Sequence, residues 1–196
     1  MRILLLIFLF LTSINSFACE CSELNKNNIQ KFKDKVDYIL IGTVIDQLNP
    51  EKTEYLNYSW KKEKEAYDII VKVKKIFKGK IQSDTLYVTQ FFNGACSTKF
   101  IAGKDYIFTG KEIKKFVDQN EKLNNVSDSI TQNNSIPLLK TDNAAPEYKF
   151  EKGIIYDHFE NGATKWNSLL KKHKMIWTNQ CYSFNISNNL GQLLIK

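Results

Sequence analysis

Two cysteines one residue apart, Cys19 and Cys21 in "FACECSEL", directly follow an apolar run, and two more stand far away at Cys96 and Cys181. This spacing constrains the chain more than any other feature. A bridge between Cys19 and Cys21 would close a ring across a single residue and strain disulfide geometry. Both are therefore expected to reach Cys96 and Cys181, in one order or the other. The N-terminal segment is then tied to two distant points of the fold. An even cysteine count of this kind reads as two disulfides in an oxidising compartment. A bridge closing so long a loop is worth on the order of 4 kcal/mol on the chain-entropy model.

The residues before the first cysteine fit that compartment. In "MRILLLIFLFLTSINSFA", Arg2 is a charged n-region and Ile3 to Leu11 an apolar run too short to span a bilayer. Ser16 and Ala18 place small residues at −3 and −1 of a cut before Cys19. Residues 1–18 are expected to be a signal peptide, and 19–196 one exported domain, secreted or periplasmic, with no transmembrane segment. The alternative is a lipid anchor through Cys19. "SFAC" lacks the aliphatic residue of a lipobox, and acylation would consume the thiol and usually the amine. Arg2 is the only arginine, so the formal charge of +7 falls to +6 from Cys19 onward, all of it lysine. Bidentate reading of phosphates and base edges is arginine's work. No nucleic-acid partner is expected.

Short strands dominate the remaining chain. The spacing predicts one helix over 22–35, then strands over 36–46, 66–79, 84–92 and 104–113. In the second of these, Tyr67, Ile69, Val71 and Val73 alternate. The charged stretch 48–65 reads as a long loop or protruding hairpin. The Asn- and Ser-rich stretch 118–149 reads as a loop excursion within a large insertion at about 114–174. Trp166, Leu169 and Leu170 predict an amphipathic helix over 162–175. A closing strand over 175–184 and a last helical turn over 189–196 follow. No βαβ rhythm appears, which points to a small all-β barrel with flanking helices and an aromatic core, Phe, Trp and Tyr making up 13% of the chain.

Signals for catalysis are poor. His158 and His173 sit in no paired ligand spacing, four bridged cysteines leave no thiolate, and no GxSxG or phosphate-binding glycine loop occurs. The chain is not expected to be an enzyme, nor to carry a cofactor of its own. The N-terminus is different. A chain beginning at Cys19 presents a free α-amine beside a carbonyl, which together form a five-membered chelate for a metal if the backbone is held still. The amine's reference pKa of about 7.7–8.0 allows it to donate near neutral pH. An open catalytic zinc offers a position that such a chelate fills, displacing the hydrolytic water.

These residues together resemble the tissue inhibitors of metalloproteinases, whose N-terminal module is netrin-like and of OB-barrel form. "CEC" is similar to the family's Cys-x-Cys start, "VDYILIGTVI" to its first strand, and "AYDIIVKVKKIFKG" to the strand ending in a Lys-aromatic-Lys-Gly turn. "GAC" with "IAGKDYIFTGK" resembles the cysteine loop and the strand after it, and "IWTNQCYSF" the strand of the next matched cysteine. The resemblance implies an OB-fold-like five-stranded barrel with Cys19–Cys96 and Cys21–Cys181 bridges. It implies a monomer acting on an extracellular zinc metalloprotease, with the amine and carbonyl of Cys19 on the target's zinc. Glu20 would enter the specificity pocket, flanked by Cys21, Ser22, Gly94 and Ala95. Glu20 stands where the family has a small hydroxyl residue. A buried unpaired carboxylate costs several kcal/mol, so a target pocket carrying lysine or arginine is implied. Netrin-like modules also serve as non-inhibitory binding modules, free or lipid-anchored, which is the alternative reading.

Overall fold

The computed structural model describes Leu24 and residues 26–90, 97–119, 149–179 and 181–196. Five strands close into a mixed barrel: β1 (Tyr38–Gln47), β3 (Ile69–Lys78), β4 (Thr85–Thr89), β10 (Met175–Trp177) and β6 (Asp105–Ile113). They neighbour one another in that order, and β1 then pairs with β6 to complete the ring. The arrangement is an OB-fold-like barrel, mostly β with few flanking helices, as the strand pattern predicts.

Closure rests on β1, which pairs antiparallel with β3 along one edge and with β6 along the other. Three register shifts in its pairing with β3 coil the strand so that it serves both halves of the ring. Gly42 lies in this coil, where an added Cβ would stand 2.2 Å from Val71 Cγ1. At the opposite seam, a Cβ on Gly110 of β6 would lie 2.3 Å from the Trp177 carbonyl oxygen, so only glycine admits β10 there.

Alternation fills the interior. Tyr38, Leu40 and Val44 of β1, Ile69 and Val71 of β3, Leu86 and Val88 of β4, Tyr106 and Phe108 of β6 and Ile176 of β10 point inward. Each large apolar side chain buried this way contributes roughly 1.5–3 kcal/mol. Phe100, from the short strand β5 (Phe100–Ile101), meets Tyr106 edge-on at 5.2 Å and lies 5.4 Å from Phe108. The aromatic content thus builds the core.

Two covers shield the outside. α1 (Ile29–Lys35) and the C-terminal helix, Asn189–Leu194, pack Leu24, Phe32 and Leu194 around Val36 and Ile39. A small sheet covers another face. In it β7 (Lys115–Asp118) runs parallel to β9 (Ile154–Asp157), which pairs with β8 (Lys149–Glu151). With the helix Thr164–Leu170, this sheet packs Phe116, Ile155, Phe159 and Trp166 against Tyr87 and Met175 of the barrel.

Several sequence expectations need correction. The stretch 48–65 is no hairpin but carries α2 (Glu54–Glu63) and the start of β2 (Glu65–Ala66). Asn49 braces the start of α2: its Oδ1 accepts Thr53 N–H and its amide donates to Thr53 C=O, both at 3.1 Å. Trp60 then packs against the barrel core. The helix predicted over 22–35 covers Ile29–Lys35, and the strand over 66–79 breaks at Tyr67–Asp68 into β2 and β3. The insertion at 114–174 is in part the covering sheet; residues 120–148 of the predicted excursion lie outside the described residues. The closing strand 175–184 divides into β10 and β11 (Ser183–Asn185).

One polar contact bridges three neighbouring strands. Asp105 of β6 accepts from Thr43 of β1 at 2.7 Å and from Lys74 Nζ of β3 at 2.8 and 2.7 Å. Hydrogen bonding from Lys74, then from Thr43, holds its carboxyl below the usual range. A depressed carboxyl pKa gives stability that is present above the unfolded-state value and lost as pH falls through the folded one. Acid unfolding is therefore expected to lose part of its pH dependence in Lys74→Ala, measured as denaturation midpoints across pH 2–5. In Gly110→Ala the clash with backbone is expected to lower stability by about 1–3 kcal/mol, read from the denaturant midpoint.

Candidate functional site

Among the barrel pairings, β4 and β10 run parallel, with Tyr87 beside Met175, Val88 beside Ile176 and Thr89 beside Trp177. Thr178 N–H continues the ladder to Thr89 C=O at 2.9 Å. Because the two strands run the same way, the segments that follow them start side by side. One leads from Gln90 toward Cys96, which lies outside the described residues; the other carries Cys181.

The second segment is an excursion on the closing strand. Trp177 faces Lys111 and Ser183 faces Phe108, so six steps along the closing strand span three along β6. The three extra residues are thrown out between β10 and β11. Buried Thr178 and Ser183 hold the base through their hydroxyls at 2.7 Å. At the tip Cys181 N–H donates to Asn179 Oδ1 at 2.8 Å, and Tyr182 N–H to Asn179 C=O at 3.0 Å. Tyr182 C=O accepts both the N–H and the hydroxyl of Thr109, each at 2.8 Å, which locks the excursion onto β6. Cys181 is disulfide-bonded, and its partner cysteine lies outside the described residues.

The first segment is gated by Gln90, only 1% exposed. Its side-chain oxygen accepts Thr98 N–H at 2.7 Å, and its amide nitrogen donates to Thr98 C=O at 2.6 Å and Tyr67 C=O at 2.9 Å. One side chain therefore ties Gln90, at the end of β4, to Thr98 and Tyr67 as a strand pair would. Asp68 braces the same point, its Oδ1 accepting Thr89 Oγ1–H at 2.6 Å and Gln90 N–H at 2.9 Å. Burial raises the pKa of Asp68, and these two hydrogen bonds oppose the rise.

The chain entering the fold reaches the same neighbourhood. Leu24 is 6% exposed in the cluster of Phe32, and Tyr182 stacks on Phe32 at 5.1 Å. Two residues, Ser22 and Glu23, stand between Cys21 and Leu24, a span of at most about 11 Å.

Of the residues singled out from sequence, Cys19, Glu20, Cys21, Ser22, Gly94, Ala95 and Cys96 lie outside the described residues. Cys181 is placed, in a turn rather than on the predicted strand. His158 is exposed, and its N–H donates to Asp157. His173 is half-buried edge-on against Tyr87, with Ser83 Oγ 3.3 Å from Nδ1. Gln90 escaped sequence reading. A glutamine between an apolar strand and the Asn-Gly of a cysteine loop is its only local signal.

Among the described residues no group of three or more His, Cys, Asp or Glu is placed to hold a metal ion, and no helix is long and apolar enough to cross a membrane. Gln90→Leu leaves Thr98 N–H buried without its partner. Stability is expected to fall by about 1–3 kcal/mol, with faster hydrogen exchange at Thr98 than at barrel amides such as Val71. No protein-family model, no curated protein and no solved structure matches the chain.

Proposed function

We propose that the chain is a secreted, TIMP-like inhibitor of an extracellular zinc metalloprotease, not an enzyme. The leader is cut before Cys19, the α-amine and carbonyl of Cys19 chelate the target's zinc, and Glu20 enters its specificity pocket. Cys21, Ser22, Gly94 and Ala95 flank that contact. The zinc belongs to the protease.

The parallel pairing of β4 with β10 carries this reading. It starts the Cys96 and Cys181 segments side by side. Two cysteines one residue apart can bridge to two separate segments only if those segments are neighbours, since disulfide-linked Cα atoms lie about 4.4–6.8 Å apart. Leu24, in the cluster against which Tyr182 packs, leaves Cys21 in reach of Cys181. That favours Cys21–Cys181 and, with it, Cys19–Cys96. An N-terminus tethered by two bridges would have the stiffness that a backbone chelate requires, and Gln90 and Thr98 fix the chain on either side of residues 91–96. Glu20 points to a target whose pocket offers a lysine or arginine.

Intact mass of the exported protein, with and without reductant, is expected to show a chain beginning at Cys19 and lighter by four hydrogens before reduction. A mass heavier by acyl chains would make the protein a lipid-anchored binding module instead. Adding one alanine before Cys19 turns the amine into an amide. Inhibition of a sensitive zinc protease is then expected to weaken beyond the about 10–100-fold seen on losing partners of metal ligands. Unchanged inhibition by the extended chain would overturn chelation.

A further inference from the structure

Asp68 has a second oxygen that the fold does not use. Both hydrogen bonds to its carboxylate, from Thr89 and Gln90, land on Oδ1. Oδ2 has no hydrogen-bond partner among the described residues. Asp68 is half-buried and this oxygen is not sealed from solvent, so it remains open to a donor from outside the fold. Asp68 lines two adjoining clefts beneath α2, which also share Leu48 and Leu56. The first cleft is walled by those leucines, Ala66 and the rings of Tyr55 and Tyr67.

Charge in the clefts runs against that of the whole chain. Glu65 lines the first with Lys99 at 3.3 Å, while Glu51 and Asp157 line the second beside His158. Glu51 accepts the Trp166 indole N–H at 3.1 Å, and Asp157 accepts the His158 backbone N–H at 2.7 Å. Four carboxylates thus face one lysine on a protein of formal charge +7. Burial raises the pKa of both Asp68 and Asp157, although the His158 backbone N–H and the charge of its ring oppose the rise at Asp157.

We propose that this cleft binds a primary ammonium on an alkyl stem. The ammonium donates to Asp68 Oδ2, the stem lies along Leu48, Leu56 and Ala66, and the tyrosine rings offer cation–π surface. A guanidinium fits less well, because its fork needs two carboxylate oxygens and Oδ1 is already engaged. The chemistry is that of a lysine side chain on a partner protein or of a free alkylamine. The site does not depend on the inhibitory reading.

The test is an amide chemical-shift titration of the exported, disulfide-intact protein with n-butylammonium chloride, n-butanol and Nα-acetyl-lysine N-methylamide. n-Butylammonium is expected to shift the amides of Tyr67, Asp68 and Gln90 saturably, with n-butanol having no such effect. Asp68→Asn keeps the Oδ1 acceptor and is expected to bind at least about tenfold more weakly. Binding of the capped lysine as well identifies a partner's side chain, and binding of n-butylammonium alone identifies a free amine. No saturable shift, an equal shift with n-butanol, or unchanged binding by a folded Asp68→Asn would overturn the proposal. Should Asp68→Asn fail to fold, the n-butanol comparison decides alone.

Discussion

The parallel contact between β4 and β10 is the constraint from which the rest of the structure follows. It is short, three residue pairs, yet without it the barrel stays an open sheet. It also decides which segments become neighbours. A strand early in the barrel and its closing strand point the same way, so their continuations leave from neighbouring points, Thr89 and Thr178. Thr89, Gln90 and Asp68 on one side and Thr178 and Ser183 on the other then lock those continuations at their bases. The covering sheet lies over the same two strands from outside, through Tyr87 and Met175.

The barrel was legible because its physics is local and periodic. Alternation at Ile69, Val71 and Val73 is a direct consequence of side chains leaving a strand on opposite faces, and all three sit on or against the inner core. α2 was not legible for the converse reason. Its sequence is dominated by Glu, Lys, Asn and Tyr, and only Leu56 and Trp60, one helical turn apart, bear an apolar stripe. The covering sheet was missed because its strands are three or four residues long and lie on either side of a polar tract.

The candidate site was legible in outline only. Cysteine spacing pointed to a bridge at Cys181, but not to its place on an excursion. "MIWTNQCYSF" reads as one strand, and the break arises from pairing with β6, which no local pattern records. Gln90 and Asp68 were invisible for a related reason. Each acts through backbone groups distant in sequence, Thr98 and Tyr67 for Gln90 and the end of β4 for Asp68. A tertiary polar clamp leaves no periodic trace.

The late arrival of the closing strand has a consequence for how the chain assembles. β1, β3 and β4 form consecutive antiparallel neighbours and can pair soon after they are made. The free edge of β4, however, must wait for residues beyond the whole 114–174 segment. Non-local pairings of that kind slow folding, and an unpaired edge meanwhile is a template for other chains. The interval between translation of β4 and docking of β10 is thus the period of greatest exposure to aggregation. Phe116 of β7 packs in the same cluster as Tyr87, so the covering sheet shields the outer face of β4 but leaves that edge to β10.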